Sequence, residues 1–441
     1  MRLAAYLFFV TALTAPTVGL ASVTSLQNEL AAMDVNLSWS EERQEAGRAA
    51  LTEPVIRGNR LRIEAEHLLY DQDTGIVTLI DARFLDPRGA TDAQASAGEF
   101  IARDVRSFHL LNETDICDPR ATSDLIPAMT EMRNLTVVPG RPATRRMSAE
   151  RFSMERLVVR SRVAADGACI TVDDAAMEGV TSMSPGRDTA TIESITLRVA
   201  YDGSSAAAFD LDLRDLAAFD PTGRPVASLG RMAFSTNVTG DLPDSFPRDP
   251  DAAFALLLRT TGSLDLEIRD LFLEAPDELG GQEMRGHVVA QFRHGEEAID
   301  TELDVDIQGL ARLHVDLGLK ILPADAGGGL SAMLGDQAGL AALERLAVTR
   351  LRFSAADQGA VDIAEQTAGM GRDAILARLR GRLAMLPQSL LEPTMSFAAG
   401  VLDGGAGFRA DPAQPVALTQ IMMTGMLQPN LLASILAISP E

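Results

Sequence analysis

Five histidines are the first residues to weigh for chemistry: His67, His109, His287, His294 and His314. A zinc site needs three or four converging ligands, and no two of these histidines form an H-x-H or H-x-x-x-H pair. His287 and His294 stand seven apart across "VVAQFR", which in a strand puts them on opposite faces. No metal site and no cofactor is therefore expected. Acids are abundant, and "DLDLRD" (210–215) and "DVD" (304–306) set them along one strand face. That is a raw material for calcium or glycosidase chemistry. No D-x-D-x-D-G loop is matched, however, and alternation with apolar residues fits a solvated face that keeps strand edges from aggregating. No serine sits in a G-x-S-x-G elbow. With Lys320 as the one lysine, no G-x-x-x-x-G-K-[ST] phosphate loop exists, which excludes that mode of nucleotide binding. These residues predict no enzyme; a hydrolase whose site is not visible in sequence is the alternative.

Cys117 and Cys169 are the two cysteines. In an oxidising compartment an even count favours a disulfide. It would close a loop of about 50 residues, worth on the order of 4 kcal/mol in the chain-entropy model. The other reading, a catalytic cysteine, would draw on His109 near Cys117 and leave Cys169 without a role.

The compartment follows from the N-terminus. Met1-Arg2 supplies positive charge, residues 3–15 ("LAAYLFFVTALTA") are apolar, and Gly19 and Ala21 are small residues at −3 and −1 of a cut after Ala21. This is the layout of a secretory signal peptide; an uncleaved anchor is the alternative. Ser22 rather than a cysteine follows the cut, which argues against a lipid-anchored form. No later stretch has the roughly 20 apolar residues of a membrane helix. The expected location is the periplasm. A net charge of −23 excludes nucleic acid as a partner, because that binding rests on neutralising phosphates. It also opposes anionic lipid unless positive charge is clustered.

The elements that would position any site are mostly strands. Residues 22–53 read as an N-terminal helical segment, with Trp39 between "SLQNELAAMDV" and "SEERQEAGRAALTE" as a structural anchor. Residues 54–240 read as an antiparallel β unit holding the disulfide, and 253–322 as a second one. The Pro- and Asp-rich residues 241–252 mark the boundary, and "PGRPATRRM" (139–147) is a second linker-like stretch. Alternation of apolar and polar residues dominates, as in "HLLYDQDTGIVTL" (67–79), a strand, turn and strand. The clearest case is 300–322. There Leu303, Val305 and Ile307, then Leu313, Val315, Leu317, Leu319 and Ile321, share one face, and acids occupy the other. These eight residues are the candidate apolar groove. Residues 329–441 read as a mixed α/β C-terminal part, with 330–346 and 371–386 helical. The second helix carries Arg372, Arg378, Arg380 and Arg382, read as opposing its leucines. Such a basic face can lie on an anionic membrane, or its arginines can pair with the protein's own acids. A loose recurrence of strands ending in "LRDL", "IRDL" or "IQGL" hints at duplicated hairpins.

Two resemblances rest on these residues. "AEHLLYDQDTGIVTLIDARFLDPRGA" resembles one strand–turn–strand unit of the OstA-type periplasmic domains of lipopolysaccharide transport, through Tyr70, Asp71, Asp73, Thr74, Gly75 and Val77. The train of amphipathic strands over roughly 190–430 is similar to AsmA-like periplasmic proteins. The whole is similar to exported proteins of alphaproteobacterial envelopes. The resemblances imply extended or curled antiparallel sheets whose apolar face carries lipid. The expected function is thus a non-enzymatic periplasmic carrier or binder of an amphipathic lipid. A structural or protein-interaction factor of the envelope, with a filled core, is the alternative.

Overall fold

The computed structural model describes residues 23–32, 35–45, 47–58, 62–71, 74, 76–85, 95–109, 123–137, 151–163, 170–184, 187–202, 206–240, 259–274, 283–323, 344–384, 388–428 and 431–440. The signal segment, both cysteines, the two linker-like stretches and residues 330–343 lie outside them. The fold is mainly antiparallel β, 65% strand and 19% helix, with a large non-closed sheet and a few C-terminal helices. The chain divides into two compact units, Met1–Val199 with Leu211–Pro225, and Ala200–Asp210 with Val226–Glu441. The division runs through the strands around 200–225.

The first unit starts with α1 (Val23–Ala32), followed by β1 (Asn36–Ser38), β2 (Glu41–Glu45), β3 (Arg48–Thr52), β4 (Val55–Arg57) and β5 (Arg62–Glu64). Then come β6 (His67–Asp71), β7 (Ile76–Leu85), β8 (Ala95–His109), β9 (Ser123–Val137), β10 (Arg151–Val163), β11 (Ile170–Ser184) and β12 (Arg187–Asp202). β7 is the branch point. Its first half pairs with β6, and its last residues pair with β5. From β6 one arm continues to β3 and β2, and from β5 the other continues to β4 and β1. On its far side β7 begins a meander through β8, β9, β10 and β11 to β12. The hairpin at 67–79 forms as its alternation predicts, with Tyr70 opposite Val77 and the Thr74 N–H donating to the Asp71 carboxylate at 3.1 Å. Its inward residues Leu68, Tyr70, Val77 and Leu79 are sealed in one core with Val23, Leu26 and Leu30 of α1. Trp39 packs against the same core.

One expectation is overturned here. Residues 41–52, read as helical, are the β2–β3 hairpin. Gly47 supplies the positive φ (77°) of the turn, which glycine adopts freely. Ala49 and Leu51 point inward two apart while Arg48, Ala50 and Thr52 do not. That is a strand period, and pairing with β6 holds it.

The recurring "LRDL" signature also has a structural cause. Leu79-Ile80-Asp81-Ala82, Met132-Arg133-Asn134-Leu135 and Met177-Glu178-Gly179-Val180 each hold their third residue in the left-handed region, at φ 51°, 52° and 59°. So do Leu213-Arg214-Asp215-Leu216 on β13 (Ala206–Phe219) and Ile268-Arg269-Asp270-Leu271, at 50° and 53°. Asp, Asn and Gly tolerate that conformation best. It resets the alternation, so the two apolar residues three apart both face inward. The neighbouring strands reset at the same level, as at Ala97–Phe100 and Met154–Leu157, all four buried.

The second unit contains β14 (Pro225–Gly240), β15 (Thr260–Glu274), β16 (Glu283–His294), β17 (Ala298–Gln308), β18 (Ala311–Ile321) and β19 (Leu346–Asp357), an antiparallel ladder in chain order. The predicted 300–322 hairpin is β17–β18, with its turn at Gly309. After β19 come α2 (Ala360–Ala368), α3 (Arg372–Arg382), α4 (Gln388–Leu402), β20 (Ala406–Ala410), β21 (Val416–Ala417), α5 (Leu418–Leu427), α6 (Leu432–Ile435) and β22 (Ile438–Pro440). β20 and β21 pair with β19, and β22 pairs with β20, which ties the apolar tail into the sheet.

Candidate functional site

All eight candidate groove residues fall on one face of the second unit's ladder, and the register shows how far that face extends. Val305 lies opposite Leu313 and Val288, and the row continues through Ile268 to Met232 and, on the other side, to Ala355. The next row runs Phe234, Leu266, Ala290, Leu303, Val315, Phe353 and Phe408. Sequence reasoning missed the residues contributed by β14–β16, β19 and β20. Their alternation is plain in "MAFST" and "LDLEI", but which strands are neighbours is not visible before the register is known.

The burial of this face differs from that of the first unit. Val77, Leu79 and Phe100 in the first unit are fully buried. Leu303, Val305, Ile307, Leu313, Val315, Leu317 and Leu319 are half-buried. The face is closed at one end, where Ile299, Ile321 and Leu346 are sealed and Phe292, Leu319 and Leu418 pack around them. It is also closed along β19–β20. There Phe397 of α4 meets Phe353 and Phe408 at ring distances of 5.6 and 5.8 Å, and Met395 is buried. Across β14–β18 the apolar rows stay half-open among the described residues.

The opposite face is ionic. Asp306 accepts from Arg312 at 2.8 Å, Asp304 lies 3.2 Å from the His314 imidazole, and Arg350 reaches Asp316 at 2.9 Å and Asp300 at 3.2 Å. Asp304 and Asp306, which hinted at calcium or glycosidase chemistry, are thus partnered across strands, and Asp212 pairs with Arg214 of its own strand at 3.0 Å. Among the described residues no three His, Cys, Asp or Glu side chains converge on a metal position. His287 is exposed and His294 is buried, on opposite faces of β16 as their spacing predicts. Burial pushes the His294 imidazole below its ordinary value, and its Nε2 lies 3.2 Å from the Thr260 hydroxyl. One acid pair was hidden from sequence because its members sit on neighbouring strands. Glu193 hydrogen-bonds Asp215, which raises the Glu193 carboxyl above its usual range. Both are open to solvent, so no walled cleft surrounds them.

The four arginines of α3 do not oppose its leucines. At about 100° per residue, Arg372 falls among Ile375, Leu376, Leu379 and Leu383, and Arg378, Arg380 and Arg382 fall to either side. Two are engaged within the protein: Arg372 with Asp403, and Arg380 with Glu392 at 3.3 Å. Arg378 lies 3.4 Å from the Met370 sulfur. No described helix is long and apolar enough to cross a membrane. A scan against protein-family models and a search of curated proteins find no match to this chain.

Proposed function

We propose that this is a non-enzymatic exported protein of the periplasm that binds or carries an amphipathic lipid against the apolar face of β14–β18. One observation carries the reading. Two rows of apolar side chains, each five strands wide on β14–β18, stay half-open beside an end sealed by Ile299, Ile321 and Leu346. Apolar surface left in water costs about 25 cal/mol per Å², and an acyl chain laid along the rows removes that cost without needing a polar partner. The likeness of residues 190–430 to AsmA-like proteins supports the same reading. Residues 1–21 act as the export signal, and Cys117 and Cys169 form a disulfide. In support of the disulfide, β8, β9, β10 and β11 are consecutive neighbours, so the connections carrying the two cysteines leave the same end of the ladder.

The test is native mass spectrometry of protein purified from the periplasm without detergent, followed by lipid extraction. The expected result is phospholipid at fixed stoichiometry, lost in Val305→Asp/Val315→Asp at unchanged urea midpoint. An apo mass that stays apo on lipid challenge overturns the reading. It would move attention to the alternative, an envelope scaffold or interaction factor, which the filled core of the first unit favours.

A further inference from the structure

Residues 412–440 contain no Asp, Glu, Lys, Arg or His, the longest such run in a chain that is 23% charged. The same segment is where large apolar side chains stand open. Among the described residues these are Leu69, Leu273, Leu310, Met422, Met423, Leu431 and Ile438, and the last four belong to this segment, at 39, 39, 46 and 41% exposure. The segment is not loose. Leu418 packs on the Ile299–Ile321–Leu346 cluster, Ile421 and Ile435 pack on Ala410, Val416 and Leu436, and β22 is hydrogen-bonded to β20. A Cβ on Gly425 of α5 would sit 3.5 Å from Leu432 of α6, so the two helices are in close contact. Four apolar side chains are therefore held outward by a fixed scaffold.

We propose that α5, α6 and β22 form a docking surface for the interface of a lipid bilayer, with Met422, Met423, Leu431 and Ile438 as the inserting side chains. The argument for a bilayer over a second copy of the chain is electrostatic. Two copies at −23 each repel one another, whereas zwitterionic headgroups carry no net charge to oppose an uncharged segment. The polar residues that accompany the apolar ones, Thr419, Gln420, Thr424, Gln428 and Ser434, are neutral hydrogen-bonding groups, which suit the headgroup layer. Apolar insertion of this kind does not use the positive charge of basic amphipathic helices. The docking stands on its own residues and does not require that a lipid be carried on the sheet.

The experiment is flotation of the purified protein with phosphatidylcholine/phosphatidylethanolamine vesicles. The protein is expected to float, and 0.5 M salt is expected not to release it. Met422→Ser/Leu431→Ser is expected to cut the bound-to-free ratio by about tenfold or more at unchanged urea midpoint, and Arg378→Gln/Arg382→Gln is expected to leave it unchanged. Failure to float on these vesicles overturns the proposal. So does binding confined to anionic vesicles and released by salt, or flotation that Met422→Ser/Leu431→Ser leaves intact. A fall in oligomeric mass on Met422→Ser/Leu431→Ser, without vesicle binding by the parent, would assign the surface to a second copy instead. Loss of flotation with retained co-purifying lipid would separate failure here from failure of the carrier reading.

Discussion

Glu131 is a carboxylate with almost no contact with water, 3% exposed on β9. Arg133 and Arg156 each donate to its Oε1 at 3.0 Å, and each arginine reaches a second acid, Glu99 or Glu178. Burial by itself raises the Glu131 carboxyl; the hydrogen bonds and charges of the two arginines outweigh it and hold the group below its ordinary 4.5. A lowered folded-state value means that the ionised form stabilises the fold above pH 4.5, and that this contribution is lost as pH falls through the lowered value. Glu131→Gln is therefore expected to cost about 1–3 kcal/mol at pH 7 and progressively less toward pH 3, read from urea melts at both pH values. A cost that does not change with pH would mean that the carboxylate charge plays no part. The sequence holds no sign of this cluster. Arg133 and Glu131 look like an exposed pair two apart, and their third member arrives from β10 only through strand register.

At the scale of elements, close backbone approach governs which strand positions tolerate a side chain. Gly286 on β16 faces the point where β15 shifts register between Ile268 and Leu271. A Cβ there would lie 1.9 Å from the Asp306 carbonyl oxygen, with no flexible group able to yield. Gly286→Ala is expected to destabilise the protein by about 2 kcal/mol or more, in the range of overpacked cores. Gly295→Ala, whose nearest neighbour is 3.9 Å away, should leave the urea midpoint unchanged, and equal behaviour of the two variants would contradict the close approach. Hairpins with clean alternation, at 67–79 and 300–322, were legible because a period of two has one reading when turn residues flank it. The 41–52 hairpin was not. The five residues of β2, "EERQE", are polar throughout and carry no period, so their pairing is decided by β3 and β6. Of the left-handed residues only Asp215 and Asp270 were legible, as the recurrence "LRDL" and "IRDL"; the glycine of "IQGL" is the β17–β18 turn, and Asp81, Asn134 and Gly179 were not seen, since a conformation leaves no mark on composition. The apolar face was legible as two strands out of seven; its openness depends on what packs above it, which local pattern does not encode.

For the whole molecule the governing quantity is charge. The ion pairs described are largely solvent-exposed, for example Arg312 with Asp306 at 58 and 21% and Arg409 with Asp411 at 55 and 48%, and such pairs contribute about 0–1 kcal/mol each. The mutual repulsion of a −23 chain acts over the full surface. Salt screens both, and with the pairs weak the loss of repulsion dominates. Raising NaCl from about 50 to 500 mM, which shortens the screening length severalfold, is expected to raise Tm. A fall in Tm would mean that the cross-strand pairs outweigh the net charge.

The left-handed residues fall on β7, β9, β11, β13 and β15, one on every second strand. Copying a hairpin adds two strands, preserves the direction of everything downstream and carries the reset with it. Copying one strand would reverse the chain and misplace every later reset. An architecture of this kind lengthens or shortens in steps of two strands. Sister proteins of different size are then expected to differ by whole hairpins, with the Asp, Asn or Gly of each surviving copy kept at the same level of the ladder.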